Sequence, residues 1–224
     1  MKHILLLGTG GTIACKHGDS GLTPLLTGDE LLSYVPAARS FCEVEAIQVL
    51  NIDSTNIHPK HWQLLCQVLE ENYDNYDGFV ICHGTDTMAY TAAAMSYLVQ
   101  HSKKPIVITG AQKPIDLDVT DARTNLLDSL RFASCERAHG VNIVFDGKVI
   151  AGTRAKKVHS KSFNAFDSIN FPALATIRNN QIVHYIKESC PCSYPAFYTD
   201  INPRVCLIKL IPGMDPELLT WVGE

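Results

Sequence analysis

No apolar stretch in this sequence approaches the ~20 residues that a membrane-spanning helix needs. There is no basic excess either. The chain has 19 Lys and Arg against 23 Asp and Glu, a net charge of −4. Its densest basic cluster, Arg154, Lys156, Lys157 and Lys161, is too small for a nucleic-acid footprint. None of the 8 cysteines falls in a C-x-x-C, and no paired His/Cys spacing suggests zinc. Cys190-Pro-Cys192 is the tightest pair, but in a polar loop a redox or metal role is the weaker reading. Cys66 and Cys82 lie in apolar runs and read as small core residues. The chain enters an apolar strand at once, with no leader ahead of it. Free thiols without a leader point to a reducing cytoplasm. The expectation is therefore a cytoplasmic protein with no metal, cofactor, nucleic acid or membrane among its partners.

What the chain has instead is a glycine turn near its start. Ile4 to Leu7 reads as a buried strand, and Gly8, Gly10 and Gly11 follow it. Glycine lets the backbone turn tightly and approach a ligand. A dinucleotide fingerprint begun at Gly8 would need glycine at Ile13, so that reading fails. A phosphate-binding P-loop needs Gly-Lys followed by Ser or Thr, which is absent. What remains is a turn that displays Thr12 at the carboxyl end of a strand, where open α/β sheets bind ligands. Alone, such a stretch is more often just a turn.

Further along, Cys15 to Thr27 is polar and glycine-punctuated, a connecting loop or a lid. Thr27-Gly-Asp-Glu opens a helix. Phe41 to Ile52 reads as a second strand, followed by Asp53-Ser-Thr-Asn56, whose short polar residues are N-caps or members of the same crevice. Pro59 starts another helix. Tyr76 to Cys82 is a third strand, and His83-Gly-Thr-Asp-Thr87 places a second Gly-Thr turn at its carboxyl end. Two such turns on neighbouring parallel strands face one crevice. A helix over 88–99, a strand at Pro105 to Gly110, a helix over 121–133, a strand at Gly140 to Phe145 and a short strand from Lys148 to Ala151 complete the alternation. The basic segment 153–160 would ordinarily be a solvated surface face. This predicts an α/β doubly wound parallel sheet of Rossmann or flavodoxin type over 1–188, a linker at 189–203, and over 204–224 the first β-α unit of a smaller α/β domain. A strand is expected at Arg204 to Leu210 and a helix from Asp215.

Taken together, Thr9-Gly-Gly-Thr-Ile-Ala14 and His83-Gly-Thr-Asp-Thr87 resemble the two signatures of bacterial-type L-asparaginases, in the same order. Asp53-Ser-Thr-Asn56, Gly110-Ala-Gln-Lys-Pro114 and Lys156-Lys-Val-His159 fall where that family has further matches. The resemblance implies hydrolysis of L-asparagine to L-aspartate and ammonia, with no metal or cofactor, in the cytoplasmic type I branch. It implies that Thr12 is the nucleophile, forming an acyl-enzyme, and that Thr85, Asp86 and Lys157 form a hydrogen-bonded group. Asp86 would also meet the substrate ammonium, Ser54 and Thr55 would hold the α-carboxylate, and backbone N–H groups near Ala111 would stabilise the oxyanion. A homodimer or homotetramer is implied for full-length members, with the second domain helping to build it.

The sequence departs from that pattern twice. Leu22 stands where the family carries a lid tyrosine, and leucine cannot relay a proton; Tyr34 lies in a helical pattern and substitutes poorly. The second domain is represented only by its opening, so the resemblance implies weak or absent turnover for the chain as it stands. Two other functions stay open: a non-catalytic aspartate- or asparagine-binding sensor, and a glutaminase whose crevice accepts one more methylene. If Thr12 is the nucleophile, Thr12→Ala keeps the fold and aspartate binding and loses turnover. Mass spectrometry of a quenched reaction then finds the acyl adduct in the Met1–Lys16 peptide; an adduct on Thr85 would exchange the two roles.

Overall fold

The computed structural model describes residues 1–18, 21–24, 26–186, 190 and 193–223. The first strand, β1 (Lys2–Gly10), is buried along its last seven residues. A 3-10 turn over Thr12–Ala14 follows, then a hairpin of β2 (Cys15–Gly18) and β3 (Gly21–Pro24) where the sequence suggested a loop. Helix α1 (Gly28–Ser33) starts with a capping box: Glu30 N–H donates to Thr27 Oγ1, and the Glu30 carboxylate accepts from Thr27 N–H. Then come β4 (Cys42–Ile52), α2 (Pro59–Asn72), β5 (Gly78–Cys82), α3 (Met88–Leu98), β6 (Val99–Gln100), β7 (Pro105–Thr109) and α4 (Ala122–Ala133). The remaining elements are β8 (Gly140–Phe145), β9 (Lys148–Ala151), β10 (Ala155–Lys157), β11 (Phe166–Ser168), β12 (Ala175–Arg178), β13 (Gln181–His184), β14 (Ala196–Phe197) and α5 (Glu217–Gly223).

Eight strands make one sheet in the order β13-β12-β9-β8-β7-β5-β1-β4. From β4 to β8 every pairing is parallel, and β9, β12 and β13 extend the sheet antiparallel. The sheet is thus mixed and mostly parallel. Its two faces follow from the period of two along each strand. Ile4, Leu6, Val80 and Val107 face one core with Leu31 of α1 and Leu126 and Leu130 of α4. Leu5, Leu7, Phe79, Ile81, Ile106 and Ile108 face the other with Leu65 and Leu69 of α2 and Met88 and Met95 of α3. Ile4 to Leu7 are all 0% exposed. Each such side chain contributes roughly 1.5–3 kcal/mol on burial, so β1 anchors both layers. Cys66 and Cys82 are core residues, and burial pushes their thiols up to about 11 and about 12.

The expected strand at Arg204 to Leu210 is absent. Residues 201–210 form no strand pairing, and Val205 and Leu207 are 77% and 92% exposed. A strand exists only through the ladder it joins, and the segment pairs with no strand among the described residues, so the apolar alternation stays unpaired. The helix expected after Asp215 forms as α5. Cys190 is exposed, while its neighbour in the pair, Cys192, lies outside the described residues, as do residues 187–189, which span the expected boundary between the first domain and the linker. No helix among the described residues is long and apolar enough to cross a membrane.

Candidate active site

Four turns meet at one edge of the sheet because β1, β4, β5 and β7 run parallel and end there. They are 11–14, 53–57, 83–87 and 110–114. Hydrogen bonds lace them together. Gly11 N–H donates to Ile52 O (3.2 Å), His83 N–H to Thr109 O (2.8 Å) and Ile115 N–H to Ile13 O (3.4 Å). Thr87 Oγ1 donates to Ser54 O at 2.7 Å. The first and third turns touch backbone to backbone. Gly11 has φ +77°, and a Cβ there would run into the Gly84 amide. A Cβ on Gly84 would in turn lie 2.6 Å from Ser54 Cβ. Glycine at 11 and 84 is therefore a steric requirement, and it sets Thr12, Ser54 and Thr85 around one crevice.

Lys157 reaches the crevice from the β10–β11 hairpin, where it pairs with Phe166. Phe166 is buried against Phe145, ring centroids 5.0 Å apart, so the hairpin is fastened to the core. Lys157 Nζ donates to Thr85 Oγ1 at 2.8 Å and to Asp86 Oδ1 at 2.7 Å. The ion pair is half-open, with the two side chains 18% and 58% exposed. Such pairs contribute about 0–1 kcal/mol to stability, so folding alone gives little reason for a lysine to be held there. Thr85 is buried.

Of the residues singled out in the sequence, Thr85, Asp86 and Lys157 form one hydrogen-bonded group. Thr12 is half-buried on the adjoining turn, and its hydroxyl has no hydrogen-bond partner among the described residues. Ser54 is buried against Gly84, and Ala111 is buried on the fourth turn. Thr55 stands apart. It is exposed, and both its N–H (2.8 Å) and its hydroxyl (2.7 Å) donate to Asp53 Oδ1, the N-cap of the Ser54–Asn56 turn. Leu22 lies on β3 opposite His17. Tyr34 closes α1, with the Arg123 guanidinium 5.7 Å from its ring centroid.

Several supporting residues carried no signal of their own in the sequence. His83 is fully buried between two partners. Its Nδ1 lies 2.7 Å from Gly84 O, and its Nε2 lies 2.9 Å from Thr91 Oγ1, which accepts from Trp62 Nε1 at 2.9 Å. One direction satisfies every group: Trp62 N–H to Thr91, Thr91 O–H to Nε2, and Nδ1–H to the carbonyl. A neutral imidazole is required, and burial lowers His83 from 6.5 to about 4 against the opposing Gly84 bond. The fourth turn is braced by α4. Asp121 accepts from the N–H groups of Gln112 (2.9 Å) and Lys113 (3.1 Å), and Asn125 Nδ2 donates to Gly110 O at 3.0 Å. Among the described residues there is no group of three or more His, Cys, Asp or Glu arranged to hold a metal.

The family description "Asparaginase, N-terminal" matches residues 3–189. The chain belongs to the asparaginase family. It is 38% identical over 222 residues to an L-asparaginase of Thermococcus kodakarensis, a span that covers 99% of this chain and 67% of that protein. It is 35% identical to a subunit of the glutamyl-tRNA(Gln) amidotransferase of Methanosphaera stadtmanae, over 97% of this chain and 52% of the relative. Among solved structures, the thermostable Thermococcus kodakarensis L-asparaginase superposes with a TM-score of 0.92, covering 98% of this chain and 67% of that one. L-asparaginase I of Vibrio cholerae gives 0.88 at 31% identity, covering 99% and 68%. The chain thus spans about half to two thirds of these relatives, and as a member of this family it is an enzyme-type fold with the mixed sheet described above.

The His83 network makes a pH prediction. An unfolded histidine takes up a proton as the pH falls through 6.5, whereas the buried one resists until about 4. The stability contributed by neutral His83 is fully present above 6.5 and is lost as the pH falls from 6.5 toward 4, by roughly 3 kcal/mol in all. Denaturant unfolding from pH 7 to pH 4 should show a decline that is shallower in His83→Gln. Identical slopes in the two proteins would show that His83 is not held neutral.

Proposed function

We propose that the asparaginase-family site described above hydrolyses the side-chain amide of L-asparagine to L-aspartate and ammonia. The observation that carries the reading is the convergence of Lys157 on Thr85 and Asp86, on the turn against which the Thr12 turn is packed. The similarity to an L-asparaginase and to an amidotransferase component supports amide chemistry in general and asparagine in particular.

In this reading the Thr12 oxygen adds to the amide carbon, and its hydroxyl proton passes to the amide nitrogen. The C–N bond then breaks, and the nitrogen, carrying that proton, leaves as ammonia. Backbone N–H groups near Ala111 stabilise the charge that develops on the carbonyl oxygen. Water adds to the acyl carbon, its proton passes to the Thr85–Lys157 group, and the bond to Thr12 breaks with return of a proton to that oxygen. The sum is asparagine plus water giving aspartate plus ammonia. Asp86 keeps the lysine in place and has an exposed carboxylate with which to meet the substrate ammonium. Ser54 takes the α-carboxylate; Thr55, tied to Asp53, contributes chiefly by shaping that turn. A cytoplasmic location, an oligomeric assembly, and a role for residues 204–224 as the opening of a second domain behind a 189–203 linker belong to the same proposal.

Ammonia release from asparagine, with glutamine in parallel, tests it. Asparagine is expected to be hydrolysed, weakly by the chain as it stands, and Lys157→Met to be slower still by roughly 10²–10⁴-fold, the range of a positioned acid–base group. Aspartate binding with no ammonia from asparagine would make the chain a sensor; preference for glutamine would make it a glutaminase.

A further inference from the structure

Thr85 brings two polar groups to the crevice. Its hydroxyl is held by Lys157 at 2.8 Å, but its backbone N–H has no hydrogen-bond partner among the described residues. The direction of that N–H follows from the carbonyl on the same peptide unit. The Gly84–Thr85 unit is trans, and in a trans unit the C=O and N–H point in opposite directions. Gly84 O lies 2.7 Å from Nδ1 of His83, whose ring is fully buried against Thr91 of α3. With the carbonyl drawn to that ring, Thr85 N–H points away from α3 and toward the crevice.

A clamp is needed there. Close packing against Gly11 and Ser54 requires glycine at 84, yet glycine leaves the adjoining peptide free to turn over, because no Cβ resists the change in ψ. The two ends of the turn are anchored separately, Gly84 by those contacts and Thr87 by its hydroxyl on Ser54 O at 2.7 Å. The peptide plane between them is governed by the Gly84 carbonyl. A neutral imidazole donates to that carbonyl only while its hydrogen sits on Nδ1. Thr91 Oγ1, 2.9 Å from Nε2, accepts from Trp62 Nε1, a group that can only donate. The Thr91 proton therefore goes to Nε2, and Nδ1 keeps its hydrogen. The indole fixes the tautomer, the tautomer fixes the carbonyl, and the carbonyl fixes the N–H.

We propose that His83 is a positioning residue: it turns the Gly84–Thr85 peptide so that Thr85 N–H enters the crevice as a donor for an anionic oxygen of the bound ligand. That the ligand is asparagine or its product aspartate rests on the function proposed above; the direction of the peptide does not. A histidine kept only to fill space would have no need of the Nδ1–H form, nor of a partner that enforces it.

Two measurements test this. In the ligand-free, isotope-labelled chain, long-range proton–nitrogen correlations report the His83 tautomer at neutral pH, and magnetisation transfer from water reports how open the Thr85 amide is. A neutral ring with its hydrogen on Nδ1 is expected, with a Thr85 amide that exchanges as an unprotected one does. A hydrogen on Nε2, or a protected Thr85 amide, overturns the proposal. The second measurement is the calorimetric affinity for L-aspartate of the parent, His83→Asn and His83→Gln. In His83→Asn the side-chain amide nitrogen takes the place of Nδ1 and can still donate to Gly84 O; in His83→Gln it takes the place of Nε2 and cannot. Affinity should fall by about 10–100-fold in His83→Gln, the worth of one hydrogen bond to a charged group, and stay near that of the parent in His83→Asn. Both variants lose part of the buried network, so a purely structural role would weaken binding in both alike. Equal losses, or a larger loss in His83→Asn, overturn the proposal. If neither variant folds, the tautomer and amide measurements on the parent decide alone. A parent that binds no aspartate but shows the Nδ1–H ring and the open Thr85 amide sinks the functional reading and leaves the positioning by His83 standing.

Discussion

The close approach of Gly11 and Gly84 is the constraint on which the site depends. Parallel pairing of β1 with β5 brings the two turns to the same edge, and the missing Cβ atoms let their backbones meet. Everything else in the crevice is referred to that contact. Thr12 follows Gly11, Thr85 follows Gly84, and Ser54 packs on Gly84 from the β4 side. A side chain at either glycine would push apart turns that carry the proposed nucleophile and the proposed proton-handling threonine. The rigid part of the sheet supplies the precision, since Ile4 to Leu7 and Phe79 to Cys82 are buried without exception.

Around this contact, polar groups that would cost stability if unpaired are instead satisfied in directed chains. Trp62, Thr91 and His83 orient the Gly84 carbonyl, while Asn125 and Asp121 orient the Gly110–Lys113 turn. Buried polar networks of this kind fix geometry more than they add stability. Burial pushes the Asp121 carboxyl upward, against amide hydrogen bonds that hold it down, and it spends its oxygens on the turn that carries Ala111 and Gln112. The outcome is a crevice whose walls are set by backbone and by hydrogen-bonded polar side chains, with the Lys157–Asp86 ion pair among them.

Much of this was legible in the sequence because it is local. The strand at Gly140–Phe145 has the bounds read from its apolar run, and the Thr27 capping box is written in Thr-Gly-Asp-Glu. The glycine turns could be placed because each follows an apolar strand. What escaped depends on distant partners. β10 and β11 are three residues each, Ala-Lys-Lys and Phe-Asp-Ser, too short to show a period, and are fastened where Phe166 meets Phe145. The segment 204–210 shows the converse, an apolar alternation that reads as a strand but has no ladder to join. Lys157 read as a surface lysine until the two family signatures were set beside it. Gln112 stood in a quoted string with no visible partner, because its side chain donates to carbonyls nearly fifty residues on. Thr55 looked like a partner of Ser54, yet Asp53 takes its hydroxyl.

The central claim is that Thr85, Asp86 and Lys157 work as one unit beside Thr12. The most direct measurement is asparagine hydrolysis by Asp86→Ala, by Lys157→Met and by the double variant, against the parent chain. Members of one catalytic unit are strongly non-additive. The account predicts that the double variant is nearly as active as the worse single one. Losses that multiply, with the double variant slower by the product of the two, would contradict it and leave Asp86 and Lys157 as independent neighbours.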